Sequence, residues 1–248
     1  MTWGAGGATN ELTLDLCKKM KEEYGMEPNM HLTCTNMPEE LIGKALDGCK
    51  AADIRNIVAL RGDPPAGTKE WKASEGGFTC ALDLVRHMRK EYGDYFFISV
   101  AGYPEGHPNA ITKVAEGQVL TASEEGRKVV RSDGDWVCTD ADYAKELAYL
   151  KEKCDAGANM IITQMFFEAA VFLQFVKDCR AAGITVPIQP GIMLIQSYPG
   201  FIRMVDLCKS RVPRPLKDSL EAVKDSDADV KRVGLQLGLK MCKECVLL

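Results

Sequence analysis

The alternation of short apolar runs with helical patterns constrains the fold of this chain more than any other feature. The runs are rich in valine and isoleucine and cover residues 31–34, 56–60, 96–100, 160–164 and 186–192. Between two such runs, apolar residues recur at helical spacing, as Leu147, Leu150 and Cys154 do. Strands that are apolar throughout and are separated by helices are typical of a parallel sheet buried on both faces. We therefore predict an α/β fold.

The length of the chain indicates one domain. With 248 residues, of which 46% are hydrophobic, it can bury a large core, and we expect a single domain over residues 1–248. The interval between the third and fourth apolar runs is longer than one strand and one helix need. We predict an insertion there, at about residues 111–140, with a short hairpin that turns at Asp133-Gly134.

Charge and cysteine usage exclude several classes of partner. The net charge is −4, and lysine and arginine are scattered among acidic residues, so we predict no nucleic-acid partner. No apolar run reaches the roughly eighteen residues of a membrane span, and the first residues lack the features of a signal peptide. The ten cysteines mostly stand singly in apolar patterns, which indicates reduced thiols. We expect a cytoplasmic protein without a membrane partner and, since no two histidines have ligand spacing, without a metal site.

The end of the sequence leaves two interpretations open. Cys245-Val-Leu-Leu248 fits the C-a-a-X pattern of prenylation. The same residues also continue an apolar helical pattern, and no polybasic segment precedes them, which favours an ordinary core helix.

Polar residues cluster where the predicted strands end. Arg61-Gly62-Asp63 follows one apolar run, Tyr103 and His107 follow the next, Gln164 ends another, and Pro190-Gly191 lies at the end of the last. The carboxyl ends of the strands in a parallel barrel converge on one face, and that face holds the chemistry of such barrels. We therefore predict a functional site formed by these residues.

The interpretation of each polar residue has an alternative. Arg61 and Asp63 can cap the strand as an ion pair, or Gly62 can admit a flat ligand to the backbone while Asp63 faces an electron-poor ring. Gln164 can hydrogen-bond the amide edge of a heterocycle, or it can belong to a buried polar network. His107 is either a functional side chain or a structural one whose hydrogen bonds are satisfied within the protein.

Six stretches of the sequence together resemble the catalytic domain of methylenetetrahydrofolate reductases. They are TWGAGG, HLTCTN, NIVALRGDPP, SVAGYPEGHPNA, LKEKCDAGANMIITQMFF and PIQPGI, in the family's order. The resemblance implies a (β/α)₈ TIM barrel that binds FAD. Such a barrel uses NADH or NADPH to reduce 5,10-methylenetetrahydrofolate to 5-methyltetrahydrofolate. It further implies that this chain lacks the first and last strands of the barrel, and also the regulatory domain that binds S-adenosylmethionine in eukaryotic relatives.

The resemblance also assigns residues to the ligands. The implied flavin contacts are Thr2, His31, Arg61, Gly62, Asp63, Cys80, Ala81, Tyr103, His107, Ala110, Glu146 and Lys153. Gln164 is expected to bind the pterin of folate, and Met204 is expected to contact folate or nicotinamide. Cys80 and Glu146 depart from the family, which usually has tyrosine and aspartate at these positions.

A catalytic role follows from the resemblance for Asp63. Beside the pyrimidine edge of the flavin, its fixed negative charge disfavours the anionic reduced form and stabilises a cationic iminium opened from the folate. The glutamate that serves the family as general acid stands on the first strand, and we expect it to be absent from this chain.

The sequence raises three hypotheses about function. The first is the flavin-dependent reductase, with NADH and NADPH both open as donors and a homo-oligomer expected. The second is a catalytically inactive, truncated relative that acts as a binding or regulatory partner of a full-length homologue. The third, an aldolase with a Schiff-base lysine, requires a lysine at the carboxyl end of a strand, and none of the predicted strands has one.

Overall fold

The computed structural model describes residues 2–3, 10–35, 37–63 and 73–246. The strands in this part of the chain are β1 Thr2–Trp3, β2 Asn29–Thr33, β3 Asn56–Leu60, β4 Phe97–Gly102, β5 Ile111–Lys113, β6 Val129–Arg131, β7 Gly134–Cys138, β8 Met160–Met165 and β9 Ile188–Gly191. The helices are α1 Asn10–Tyr24, α2 Glu39–Ala51, α3 Ala81–Tyr92, α4 Ala122–Arg127, α5 Asp140–Asp155, α6 Ala169–Ala181, α7 Tyr198–Cys208, α8 Arg214–Glu221 and α9 Asp227–Val246. None of these helices is both long enough and apolar enough to cross a membrane.

The chain divides into two compact units. Unit 1 comprises Met1–Ala101 and Glu152–Ile161, and unit 2 comprises Gly102–Lys151 and Ile162–Leu248. The single domain expected from the sequence stays a prediction.

Unit 1 is built on parallel strands. β1 pairs with β2, β2 with β3, and β3 with β4, all in parallel. The start of β8 joins the same arrangement, because the backbone N–H of Asn159 donates to the carbonyl of Ile98 at 2.7 Å. Ile57, Val58 and Ala59 are all buried, so β3 is covered on both faces. The predicted parallel α/β arrangement is confirmed, and its closure into a barrel stays a prediction.

In unit 2, the predicted insertion contains a small antiparallel sheet. Its strand order is β5-β7-β6. Arg131 pairs with Gly134, so the hairpin between β6 and β7 turns at Ser132-Asp133. The hairpin is confirmed, but its turn lies one residue earlier than predicted. The pairing of Val129 with Trp136 sets this register.

Two apolar clusters form the core of unit 2. The first includes Met165, Phe167 and Phe201, and the second includes Phe166 and Cys245. Cys245 is 8% exposed, so its thiol is not accessible to a modifying enzyme while α9 is packed. This burial favours the core-helix interpretation over prenylation. The two final leucines lie outside the described residues.

Candidate functional site

In unit 1, the residues that follow β2 hold the residues that follow β3. The backbone N–H of Cys34 donates to the carbonyl of Arg61 at 3.0 Å, and Thr35 Oγ1 donates to the carbonyl of Asp63 at 2.9 Å. These bonds fix the carboxyl ends of two neighbouring parallel strands against each other. Asp63 is exposed and Arg61 is half-buried. The structure therefore confirms that Arg61 and Asp63 lie at a strand end, while Pro64-Pro65 lies outside the described residues.

Gly62 is required by the packing of the protein itself. Its φ is +89°, and a Cβ built there would lie 2.4 Å from Thr35 Oγ1 and 2.9 Å from the Cβ of Thr33. Only glycine adopts this backbone conformation without strain, and only glycine avoids the contact with the two threonines. This packing explains the glycine without a ligand, so the predicted approach of a flat ligand stays a prediction.

His31 and Cys80 also lie in unit 1. His31 is half-buried in β2, and burial lowers the pKa of its imidazole below 6.5, so the ring is neutral at pH 7. Cys80 is the N-cap residue of α3, directly before the buried Ala81. The thiol of Cys34 lies 3.7 Å from the carbonyl of Cys80, which places the start of α3 beside the end of β2.

The remaining predicted flavin contacts lie on β1 and α5. Lys153 on α5 is 4% exposed, and its Nζ donates to the carbonyl of Ala101 at 2.8 Å. Glu146, on the same helix and in unit 2, is half-buried. The backbone of Thr2 forms β1, but its side chain lies outside the described part of the chain.

In unit 2, Tyr103 and His107 contact each other directly. Their ring centroids are 4.7 Å apart in an edge-to-face arrangement. The backbone N–H of Asn109 donates to His107 Nδ1 at 3.1 Å, so a neutral His107 carries its proton on Nε2. The N–H of Ala110 donates to the carbonyl of His107 at 2.7 Å. The structure thus brings Tyr103, His107 and Ala110 together, and their contact with a flavin stays a prediction.

Glu105, between these two aromatic residues, was missed by the sequence reasoning. Its side chain is buried, and this burial raises the pKa of the carboxyl group from 4.5 to about 8, although the nearby Arg211 opposes the increase and Glu168 adds to it. The backbone N–H of Arg211 donates to Glu105 Oε2 at 3.0 Å. A carboxyl group in a polar loop is ordinarily exposed, so no local pattern distinguishes Glu105 from its neighbours.

The two predicted folate residues lie on elements that share a core cluster in unit 2. Gln164 is half-buried on β8, and its Oε1 accepts a hydrogen bond from the N–H of Met165 at 2.9 Å. Met165 belongs to the cluster that also contains Phe201, and Met204 on α7 packs against that cluster. The structure therefore brings Gln164 and Met204 to neighbouring elements.

Unit 2 also contains a cleft of about 490 Å³ between α4, α5 and α6. The guanidinium of Arg127 lies 4.1 Å from the ring centroid of Tyr143 and 2.6 Å from Asp140. These residues are not among those predicted from the sequence. Over the described ranges, which have gaps at 4–9, 36 and 64–72, no cluster of histidine, cysteine, aspartate or glutamate is arranged to hold a metal ion.

Fold and candidate residues together define a class of protein. It is an α/β protein with parallel strands. Polar side chains lie at the carboxyl ends of β2 and β3 in unit 1, and others lie at the end of β8 and directly after β4 in unit 2. Proteins of this class characteristically bind cofactors and substrates at those ends.

Comparison with known sequences identifies the family. The family model described as methylenetetrahydrofolate reductase matches residues 1–247. The chain is 49% identical over 244 residues to "Probable methylenetetrahydrofolate reductase (NADH)" of Oryza sativa subsp. japonica. It is 48% identical to "Methylenetetrahydrofolate reductase (NADH) 1" of Arabidopsis thaliana, and in both cases 98% of this chain and 38% of the relative are covered. It is 33% identical to "5,10-methylenetetrahydrofolate reductase" of Pectobacterium carotovorum subsp. carotovorum, and this match covers 98% of this chain and 69% of the relative.

The chain belongs to the methylenetetrahydrofolate reductase family. The resemblance recognised in the sequence is thereby confirmed. The chain spans 38% of the length of the two plant relatives.

Proposed function

We propose that this chain is the FAD-binding catalytic part of a methylenetetrahydrofolate reductase, with its strands in a (β/α)₈ barrel. The chemistry that bound FAD supplies is hydride transfer from NADH or NADPH to 5,10-methylenetetrahydrofolate, which yields 5-methyltetrahydrofolate. The observation that carries the proposal is the ordered end of β3, where Asp63 presents an exposed carboxylate in a chain of this family.

The side chains present in unit 1 fit a flavin. Arg61 offers a planar set of hydrogen-bond donors that suits a phosphate or a carbonyl edge. His31 offers a neutral imidazole that can donate and accept. We assign both to FAD, together with Gly62, Asp63, Cys80, Ala81, Lys153 and Thr2. From unit 2 we assign Tyr103, His107, Ala110 and Glu146 to the same cofactor.

Asp63 is proposed to stabilise positive charge during folate reduction. Its carboxylate is exposed, while its backbone carbonyl is held by Thr35 at 2.9 Å, so the side chain is presented from a fixed backbone position. A preorganised carboxylate of this kind stabilises a cation without reorganisation at the moment of reaction.

Gln164 and Met204 are proposed to bind folate. The amide of Gln164 can donate to and accept from the amide edge of a pterin. Met204 supplies a flexible apolar surface for a ring of folate or of nicotinamide.

The experiment measures FAD binding and the two half-reactions. The purified chain is titrated with FAD and followed by the absorbance of oxidised flavin, and oxidation of NADH and of NADPH is then assayed with a quinone and with the folate as acceptors. We expect Arg61→Ala to weaken FAD binding by roughly 10- to 100-fold, as the loss of a hydrogen bond to a charged group predicts. The matched control is Arg86→Ala, which removes an exposed arginine of α3.

Equal FAD affinity of the Arg61 and Arg86 variants would contradict the assignment of Arg61. A wild-type chain that binds no FAD would refute the proposed reductase and favour a non-catalytic partner of a homologue.

A further inference from the structure

The three residues that follow α7 hold both ends of the loop that contains His107. We call residues 209–211 the clasp and residues 103–111 the His107 loop; both lie in unit 2. Lys209 Nζ donates to the carbonyl of Ile111 at 2.8 Å. The backbone N–H of Arg211 donates to Glu105 Oε2 at 3.0 Å. The loop is therefore tied at its beginning and at its end, with His107 between the two ties.

The same clasp contacts the end of β8. Ser210 is 1% exposed, and its Oγ lies 3.5 Å from the carbonyl of Met165. Arg211 Nε donates to Glu168 Oε2 at 3.0 Å. Met165 directly follows Gln164, so one short segment connects the His107 loop with the strand that bears Gln164.

Two features indicate that the position of the His107 loop is tightly determined. Gly106 has a φ of +97°, and a Cβ built on it would lie 2.5 Å from the Cβ of Cys138, so the loop backbone is pressed against β7. Glu105 is 6% exposed, and its Oε1 has no hydrogen-bond partner among the described residues. Burying a carboxyl group in this way is unfavourable, and an apolar side chain would fill the space without that cost.

We propose that Glu105 and Arg211 are positioning residues that hold the His107 loop in register with the end of β8. Through them, His107 and Gln164 keep fixed places for their ligands. The identity of those ligands rests on the proposed function, whereas the clasp itself rests on the contacts given above.

Hydrogen exchange tests the clasp without any ligand. In Glu105→Ala, we expect exchange of the amides of Ala110 and Ile111 to accelerate about tenfold, the change that follows from losing one buried hydrogen bond. Exchange in α6 serves as the reference and should stay unchanged. Glu105→Gln retains an oxygen that can accept from the N–H of Arg211, so it should restore slow exchange.

A second variant covers the case in which Glu105→Ala does not fold. Lys209→Met removes the other tie and should accelerate the same amides. Its matched control, Lys113→Met, replaces an exposed lysine of β5 and should leave them unchanged. Unchanged loop exchange in the folded variants, or equal acceleration in α6, would overturn the clasp.

Ligand binding then tests the positioning role. We expect Glu105→Ala to lower the affinity for FAD about tenfold and Glu105→Gln to restore it to within about twofold. A loosened loop with unchanged FAD affinity would overturn the role assigned to Glu105. Failure of the wild-type chain to bind FAD would refute the proposed function instead, and the exchange rates would still decide whether the clasp exists.

Discussion

Replacing Glu105 by glutamine should make the stability of this protein less dependent on pH. In the folded chain, the pKa of Glu105 is raised from 4.5 to about 8. Burial is the main cause, Glu168 adds to the increase, and Arg211 opposes it. In the unfolded chain the same carboxyl group ionises near its ordinary value. Between these two values the folded state binds more protons than the unfolded state, so the free energy of unfolding falls as the pH rises.

The size of the effect follows from the two pKa values. The separation between 4.5 and about 8 corresponds to a loss of at most about 5 kcal/mol in the free energy of unfolding, because a pKa difference of one unit is worth about 1.4 kcal/mol. Glutamine is neutral at every pH and keeps an oxygen for the N–H of Arg211. The stability of Glu105→Gln relative to wild type should therefore increase from pH 4.5 to pH 8 and then level off.

Urea unfolding of both proteins at a series of pH values measures this difference. Contributions from titrating groups that do not interact with Glu105 cancel when the two curves are subtracted. The control is Glu116→Gln, which removes a carboxylate from an exposed position. Parallel stability curves for wild type and Glu105→Gln would show that Glu105 ionises normally in the folded protein, and the account of its burial would then be wrong.

Three further substitutions test the residues of the candidate site. Asp63→Asn should leave FAD bound and slow folate reduction more than flavin reduction by the nicotinamide, because the proposed role of the charge is to stabilise a cation on the folate; equal slowing of both half-reactions would contradict this role. Gln164→Glu should weaken folate binding about tenfold at constant flavin content, since a carboxylate cannot donate to the pterin; an unchanged folate titration would make Gln164 a structural residue. Gly62→Ala should lower the free energy of unfolding by more than Gly76→Ala does, because both glycines have positive φ, +89° and +66°, but only a Cβ at Gly62 meets other atoms within 4 Å. The strain at such a φ alone costs roughly 1–3 kcal/mol, and equal losses in the two variants would show that Thr35 yields without cost.

Local patterns determined the elements and the family. The apolar run at 56–60 coincides with β3, because a run of buried-type residues that stops at Arg61-Gly62 has one possible end. The predicted strands at 31–34 and 96–100 differ from β2 and β4 by one or two residues at their ends, where pairing with neighbouring strands decides. Family membership was also readable from the sequence, since six short blocks in one order are specific even though each is weak.

Tertiary structure alone decided the environment of each polar side chain. Nothing near Glu105 in the sequence predicts that a carboxyl group between Tyr103 and His107 is buried, because its partner Arg211 lies 106 residues further along the chain. The reason for Gly62 is likewise non-local: Thr33 and Thr35 come from the neighbouring strand and its loop. Periodicity reports which face of an element is apolar, but desolvation, hydrogen bonding and pKa depend on what packs against that face, and distant parts of the chain supply those groups.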